Sequence, residues 1–216
     1  MDEKTLIARR VALELRPGNL VNLGIGLPTL VAEMVPRDAR IFFQSENGIV
    51  GMQAVAEEGL EAEDLTDAGG HSISALPGSA TFDSAMSFGL IRGGHLDVTV
   101  LGGLQVDRIG RLANWMVPGS IVPGMGGAMD LVTGARRVIV AMMHTVKGKP
   151  KIVEQCTLPL TSERRVDLIV TDMAVMEPTA SGMVLKELAP GVELDTVQGL
   201  TGTRLIATEP IARMRV

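Results

Sequence analysis

The chain reads as an α/β protein built on a single open, mostly parallel sheet flanked by helices, with a C-terminal β-hairpin region. Two observations predict this. Apolar runs of strand length alternate with helical or turn segments, the rhythm of parallel sheets. Glycines also cluster directly after those runs, at Gly24 and Gly26, Gly48, and Gly102 and Gly103. Glycine at a strand end permits unusual dihedrals and close approach of a ligand to the backbone.

The elements follow in order. Leu6, Val11 and Leu15 fall near helical spacing with Arg9, Arg10 and Glu14 on the other side, and Pro17-Gly18 ends that helix. Leu20–Leu23 is a buried strand. Thr29 is placed to cap a short helix through Met34, which Pro36 stops. Ile41–Gln44 is the next strand. The acidic stretch Glu57–Asp67 reads as a solvated loop or short helix. Strands follow at Leu96–Leu101, Arg137–Met142 and Asp167–Thr171. A hairpin (Ala174–Met176 with Met183–Leu185) and a closing helix complete the chain. No linker, repeat or low-complexity tract divides it, so residues 1–216 are expected to form one domain.

Composition narrows the function. Apolar residues make up 46% of the 216, enough for a substantial core. Aromatics are 2%, with no Tyr, so base-stacking platforms are missing. The net charge of −5 argues against a nucleic-acid or anionic-membrane partner. A single cysteine, Cys156, excludes a disulfide framework and a multi-Cys zinc site. It points to a reducing, cytoplasmic location. The N-terminus lacks the pattern of a signal peptide, and no apolar run approaches the roughly 20 residues that span a bilayer.

Few residues are placed for chemistry. His71, His95 and His144 lack metal-ligand spacing, so no metal is expected, and His95 reads as structural. No Gly-x-Ser-x-Gly elbow occurs. Cys156 reads as a small buried hydrophobe and Trp115 as a packing anchor. Neither Gly24-Ile25-Gly26 nor Gly124-Met125-Gly126-Gly127 has the glycine spacing of a dinucleotide site. The second loop is a tight turn on spacing alone. Its backbone N–H groups would equally suit an oxyanion or phosphate. Glu46 remains, a lone carboxylate between the apolar run Ile41–Phe43 and the turn glycine Gly48. A charge in such surroundings is rarely idle, and a carboxylate can attack an activated acyl group.

The run Ser45-Glu46-Asn47-Gly48-Ile49-Val50-Gly51 resembles the active-site signature of the β-subunit of family I coenzyme A transferases. Further stretches are similar to that family in the same order. They are Val21–Pro28, Phe88–Asp97, Gly102–Val106, Leu112–Trp115, Pro118–Val132 and Cys156–Thr161. The family commonly has glycine and proline where Gln53 and Ala54 stand, which affects the pocket rim.

The resemblance implies a ping-pong enzyme that moves CoA between an acyl-CoA and a carboxylate through a glutamyl-CoA thioester. Glu46 would be the nucleophile. Gly126 and Gly127 would be backbone oxyanion donors, and Asn47 and Gly48 would shape the turn that presents Glu46. Coenzyme A would be a substrate, with no permanently bound cofactor. An α-subunit would be the partner, in an α2β2 heterotetramer. Phe82–Phe88 looks most like the acetate/acetoacetate type, implying short-chain acyl or 3-oxoacyl substrates. The alternatives are a non-catalytic acyl-CoA-binding subunit and a hydrolase using the same glutamate.

Overall fold

The structure is a computed structural model, and it describes residues 1–53, 64–119 and 125–215. A ten-stranded sheet organises it. Its strands, numbered along the chain, are β1 (Leu20–Leu23), β2 (Phe42–Ser45), β3 (Ile49–Gln53), β4 (Ser74–Thr81) and β5 (Val98–Leu101). They continue with β6 (Arg137–Ala141), β7 (Leu168–Val170), β8 (Ala174–Thr179), β9 (Gly182–Leu188) and β10 (Leu205–Arg213). The order across the sheet is β10-β9-β8-β7-β6-β5-β1-β2-β3-β4. The five central strands, β7-β6-β5-β1-β2, are parallel throughout. Antiparallel strands flank them on both sides.

The central strands are short and mainly apolar, as strands covered on both faces must be, with Asn22, Gln44 and Thr99 as buried polar exceptions. Alternate residues serve two cores. Val138 and Val140 join one with Ile91, Leu131 and Val132, while Ile139 joins the other with Ile7, Val11 and Val31. The helices divide accordingly. Helix α1 (Glu3–Ala12) and helix α2 (Leu30–Glu33) pack together, as do α3 (Ser84–Arg92) and α4 (Ala128–Gly134). The predicted hairpin is β8–β9.

Several elements depart from the sequence expectations. Helix α1 stops at Ala12, well before Pro17, with Asp2 capping it through the Thr5 amide at 3.0 Å. Arg10 does not face solvent. It is buried, with its guanidinium bonded to Glu187 and Glu14. A charge can turn inward when its partners come from distant sequence, which helical periodicity does not register. Thr29 makes no cap. Its hydroxyl donates to the Gly26 carbonyl at 2.7 Å, closing the preceding turn. The closing helix, α5 (Leu194–Gly199), is followed by β10, a long edge strand parallel to β9. A satellite sheet pairs Gln105–Asp107 with Leu112–Ala113 and with Ile152–Val153. Residues 57–63 of the acidic stretch lie outside the described residues.

Candidate active site

The parallel register sets up the site. Asn22 of β1 is the direct cross-strand partner of Gln44 in β2 and of Thr99 in β5. Matched positions in parallel strands share a face, so these side chains meet on the side covered by α3. Glu46 directly follows β2, and its carboxylate reaches back to Asn22 on that same side. It therefore stands at the carboxyl end of a central parallel strand, where open α/β sheets gather their ligands.

A three-residue turn, Glu46-Asn47-Gly48, joins β2 to β3, with Ser45 paired to Ile49. Its fixed points are tertiary. The Asn47 side-chain amide donates to the Thr66 carbonyl at 2.7 Å, and the Ala68 amide donates to the Ser45 hydroxyl at 2.9 Å. The Gly48 carbonyl accepts from the Phe82 amide at 2.9 Å, just before Asp83 caps α3. Gly48 has φ of 124°, and a Cβ there would lie 2.0 Å from the Phe82 carbonyl oxygen. Only glycine fits.

Glu46 is half-buried. Its Oε2 accepts from Asn22 Nδ2 at 3.0 Å. The Asn22 Nδ2 also reaches Gln44 Oε1 at 2.9 Å and the Gln44 carbonyl at 3.3 Å. Gln44 Nε2 donates to the Ser87 hydroxyl of α3 at 3.0 Å, and the Thr99 hydroxyl donates to Asn22 Oδ1 at 3.4 Å. Asn22, Gln44, Ser87 and Thr99 are all fully buried.

The glycine loop enters from the other side. Gly124 lies outside the described residues, whereas Gly126 and Gly127 are described. Gly126 has φ of 53°, and Gly127 immediately precedes α4. A Cβ at Gly127 would lie 3.4 Å from Glu46 Cγ and 3.4 Å from the Phe88 ring. The loop and the carboxylate thus share one pocket wall. Arg92 lies 5.6 Å over the Phe88 ring and pairs with Asp130 at 2.7 Å, joining α3 to α4 beside the site.

Glu46, Asn47, Gly48, Gly126 and Gly127 are therefore brought together. The buried quartet beneath Glu46 was not anticipated. Its signal was a polar residue inside each of three apolar strands, Asn22, Gln44 and Thr99, but the register that joins them is not written in any one strand. A cavity of about 670 Å³, bordered by Arg9, Leu13, Met34, Ile41 and Arg215, lies on the α1–α2 side and touches none of these residues. Among the described residues no group of three or more His, Cys, Asp and Glu is arranged to hold a metal.

Among the described residues, none of the other singled-out side chains hydrogen-bonds to Glu46. His95 is an exposed residue before β5, just after the turn at Gly93-Gly94, and His71 pairs with Asp67 at the surface. Cys156 is half-buried, with burial pushing its thiol up to about 12, so it stays protonated. Trp115 donates from its indole to the Leu160 carbonyl at 3.2 Å.

A family model for coenzyme A transferase matches residues 4–199. The chain belongs to the coenzyme A transferase family. The β-subunit of acetate CoA-transferase from Escherichia coli (strain K12) is 56% identical over 205 residues, covering 94% of each chain. One of the subunits of succinyl-CoA:3-ketoacid coenzyme A transferase from Helicobacter pylori (strain ATCC 700392 / 26695) is 50% identical over 196 residues, covering 90% of this chain and 94% of that one. Among solved structures, the acyl-CoA transferase YdiF of Escherichia coli O157:H7 superposes with a TM-score of 0.79 at 24% identity. That superposition covers 99% of this chain and 43% of the larger one. The decarboxylase AibA/AibB also superposes, with a TM-score of 0.71 at 21% identity, over 99% of this chain and 88% of that one. The CoA-transferase fold thus carries more than one reaction, and the choice between them rests with the site.

Proposed function

We propose that this chain is the β-subunit of a CoA-transferase and that Glu46 is its nucleophile. The observation that carries this reading is the Glu46 carboxylate itself. It stands at the end of a central parallel strand, has one oxygen held by Asn22, and abuts the glycine loop at Gly127.

The chemistry follows from that arrangement. Glu46 attacks the thioester carbonyl of an acyl-CoA and forms a mixed acyl-glutamyl anhydride, expelling CoA thiolate. The thiolate attacks the glutamyl carbonyl of the anhydride, giving a glutamyl-CoA thioester and releasing the first carboxylate. A second carboxylate attacks this thioester and regenerates an anhydride and CoA thiolate. The thiolate then takes the new acyl group and frees Glu46. Each tetrahedral intermediate places negative charge on a carbonyl oxygen. The amides of Gly126 and Gly127 are the donors proposed for it, each worth about 3–4 kcal/mol of barrier where such donors have been removed.

Coenzyme A is a substrate here, with no permanently bound cofactor. Short-chain acyl or 3-oxoacyl groups are the proposed cargo, in keeping with the relatives named for acetate and 3-ketoacid transfer. Residues 1–216 are proposed to act as one domain within an α2β2 heterotetramer; the pairing with an α-subunit is supported by relatives named as β-subunits. The reduced single thiol suits the cytoplasm.

Covalent trapping tests the reading. The chain, assembled with its second subunit, is mixed with acyl-CoA and no acceptor, and the modified peptide is mapped. A CoA or acyl adduct on Glu46 is expected. Glu46→Gln should abolish the adduct and lower exchange by about 10³-fold or more. An adduct on another residue, or undiminished exchange in the variant, would overturn it.

A further inference from the structure

We propose that Asn22 is the positioning residue of this site: it holds Oε2 of Glu46 so that Oε1 is the attacking oxygen. Gln44, Ser87 and Thr99 keep its amide in that orientation. The proposal deepens the reading of Glu46 as nucleophile and rests on it.

The direction of the Asn22 amide is dictated by its neighbours. Two acceptors on one side cannot change character, the Glu46 carboxylate at 3.0 Å and the Gln44 main-chain carbonyl at 3.3 Å. Only the NH2 end of the amide can face them. The Oδ1 end then meets the Thr99 hydroxyl, which donates to it at 3.4 Å. Gln44 Oε1 accepts from the same NH2 at 2.9 Å, and its own amide is held by Ser87 at 3.0 Å. Reversing Asn22 would set its carbonyl oxygen against the carboxylate and the Gln44 carbonyl. The relay runs from β5 through β1 and β2 to α3, so the backbone of the sheet and a helix together fix one hydrogen-bond donor.

A stability role alone accounts poorly for this placement. Four fully buried polar side chains occupy strand and helix positions where apolar residues would pack at least as well. The relay ends at a half-buried carboxylate, whose torsions would otherwise leave its two oxygens interchangeable. Among the described residues, Oε1 accepts no hydrogen bond. Asn22 therefore distinguishes the two oxygens and lowers the entropy to be lost before attack.

The test measures the rate of adduct formation on Glu46 from acyl-CoA between about pH 4 and pH 8, in the enzyme assembled with its second subunit. Thermal melts check folding. Asn22→Asp keeps the size of the side chain but places a second carboxylate against Glu46. The pair should then share a proton, moving the acid limb of the profile up by about one pH unit or more. Labelling near neutrality should slow by about ten-fold or more. Ser87→Ala frees Gln44 without touching Glu46. It should slow labelling about three- to ten-fold while leaving KM for acyl-CoA within about two-fold. If Asn22 and its relay were merely structural, Ser87→Ala would lower the melt and leave the rate of labelling unaltered.

The outcomes separate. No adduct on Glu46 in the unaltered enzyme overturns the nucleophile reading beneath the proposal. A normal adduct there, with Asn22→Asp labelled at the unaltered rate and with the same pH dependence, overturns the positioning role alone. If Asn22→Asp does not fold, Ser87→Ala decides. Slower labelling with a normal melt supports the relay, and an unaltered rate overturns it.

Discussion

Gly48 and Gly127 both border Glu46, and a methyl group would act differently at each. At Gly48 the backbone has φ of 124°, and the new Cβ would meet the Phe82 carbonyl oxygen at 2.0 Å. That oxygen belongs to main chain anchored by the start of α3, so the turn must give way. Gly48→Ala should destabilise the fold by about 3 kcal/mol or more, read from the urea midpoint. At Gly127 the backbone is ordinary, with φ of −85°. Its new Cβ would make normal contacts at 3.4 Å with Glu46 and Phe88. Gly127→Ala should therefore change stability by less than about 1 kcal/mol. Turnover should fall nonetheless, because the methyl occupies space beside the carboxylate. A Gly127→Ala enzyme with full activity would show that no reacting group occupies the space beside the Gly127 Cα, since the amide itself is unchanged by the substitution.

Three elements meet at His144, which follows β6. Its ring is fully buried between Thr171, at the end of β7, and Thr201, just after α5, with 3.0 Å to each hydroxyl. The Thr201 hydroxyl donates to the Val197 carbonyl, so it accepts from Nε2, which carries the proton of a neutral ring. Burial depresses the imidazole to about 4, against an opposing pull from Asp172. Because the folded value lies below the unfolded 6.5, only the unfolded chain takes up a proton below pH 6.5. Stability should therefore fall on acidification from pH 6.5 towards 4, by about 2 kcal/mol at pH 5. Urea unfolding at several pH values measures this, and His144→Gln should flatten the slope in that window. A wild-type slope equal to that of the variant would remove His144 from the account. Its role was invisible in the sequence, where it is one more isolated histidine. The strands were legible because apolar runs announce themselves. Helix α1, the β8–β9 hairpin and the turn at Glu46 were legible for the same local reason. The satellite sheet was not, since it joins Val106 to Ile152 across a long separation through only a few residue pairs. Asn22, Gln44 and Thr99 were each visible as polar interruptions, but their meeting depends on register between strands that are distant in sequence.

At the scale of the molecule, the two ends of the chain are joined through an ionic cluster under α1. Arg10 donates from Nε and Nη2 to both carboxylate oxygens of Glu187 in β9, at 2.7 and 2.8 Å, and from Nη1 to Glu14 at 2.7 Å. Arg137 of β6 donates to the other Glu14 oxygen at 2.6 Å. Burial works against the Glu14 charge, yet the hydrogen bonds from Arg10 and Arg137 outweigh it and hold the carboxyl below its usual range. Its contribution is thus present above the unfolded pKa and is lost as pH falls through the folded one, a more acidic window than that of His144. The cluster is asymmetric. Removing Arg10 strands Glu187 and leaves Glu14 with Arg137 alone. Removing the Glu187 charge leaves Arg10 still paired with Glu14. Arg10→Ala should accordingly destabilise the protein by about 2–3 kcal/mol, at or just below the roughly 3–5 kcal/mol of a broken fully buried pair because both glutamates keep some solvent contact. Glu187→Gln should cost less, since one cation keeps one anion. In the double variant the two losses should not add, with about 1 kcal/mol or more of coupling between them. Urea unfolding of the four proteins at about pH 8, where His144 is essentially neutral in both states, isolates this term. Additive losses would mean that Arg10 supports α1 through packing of its alkyl stem and not by tying the first helix to the ninth strand.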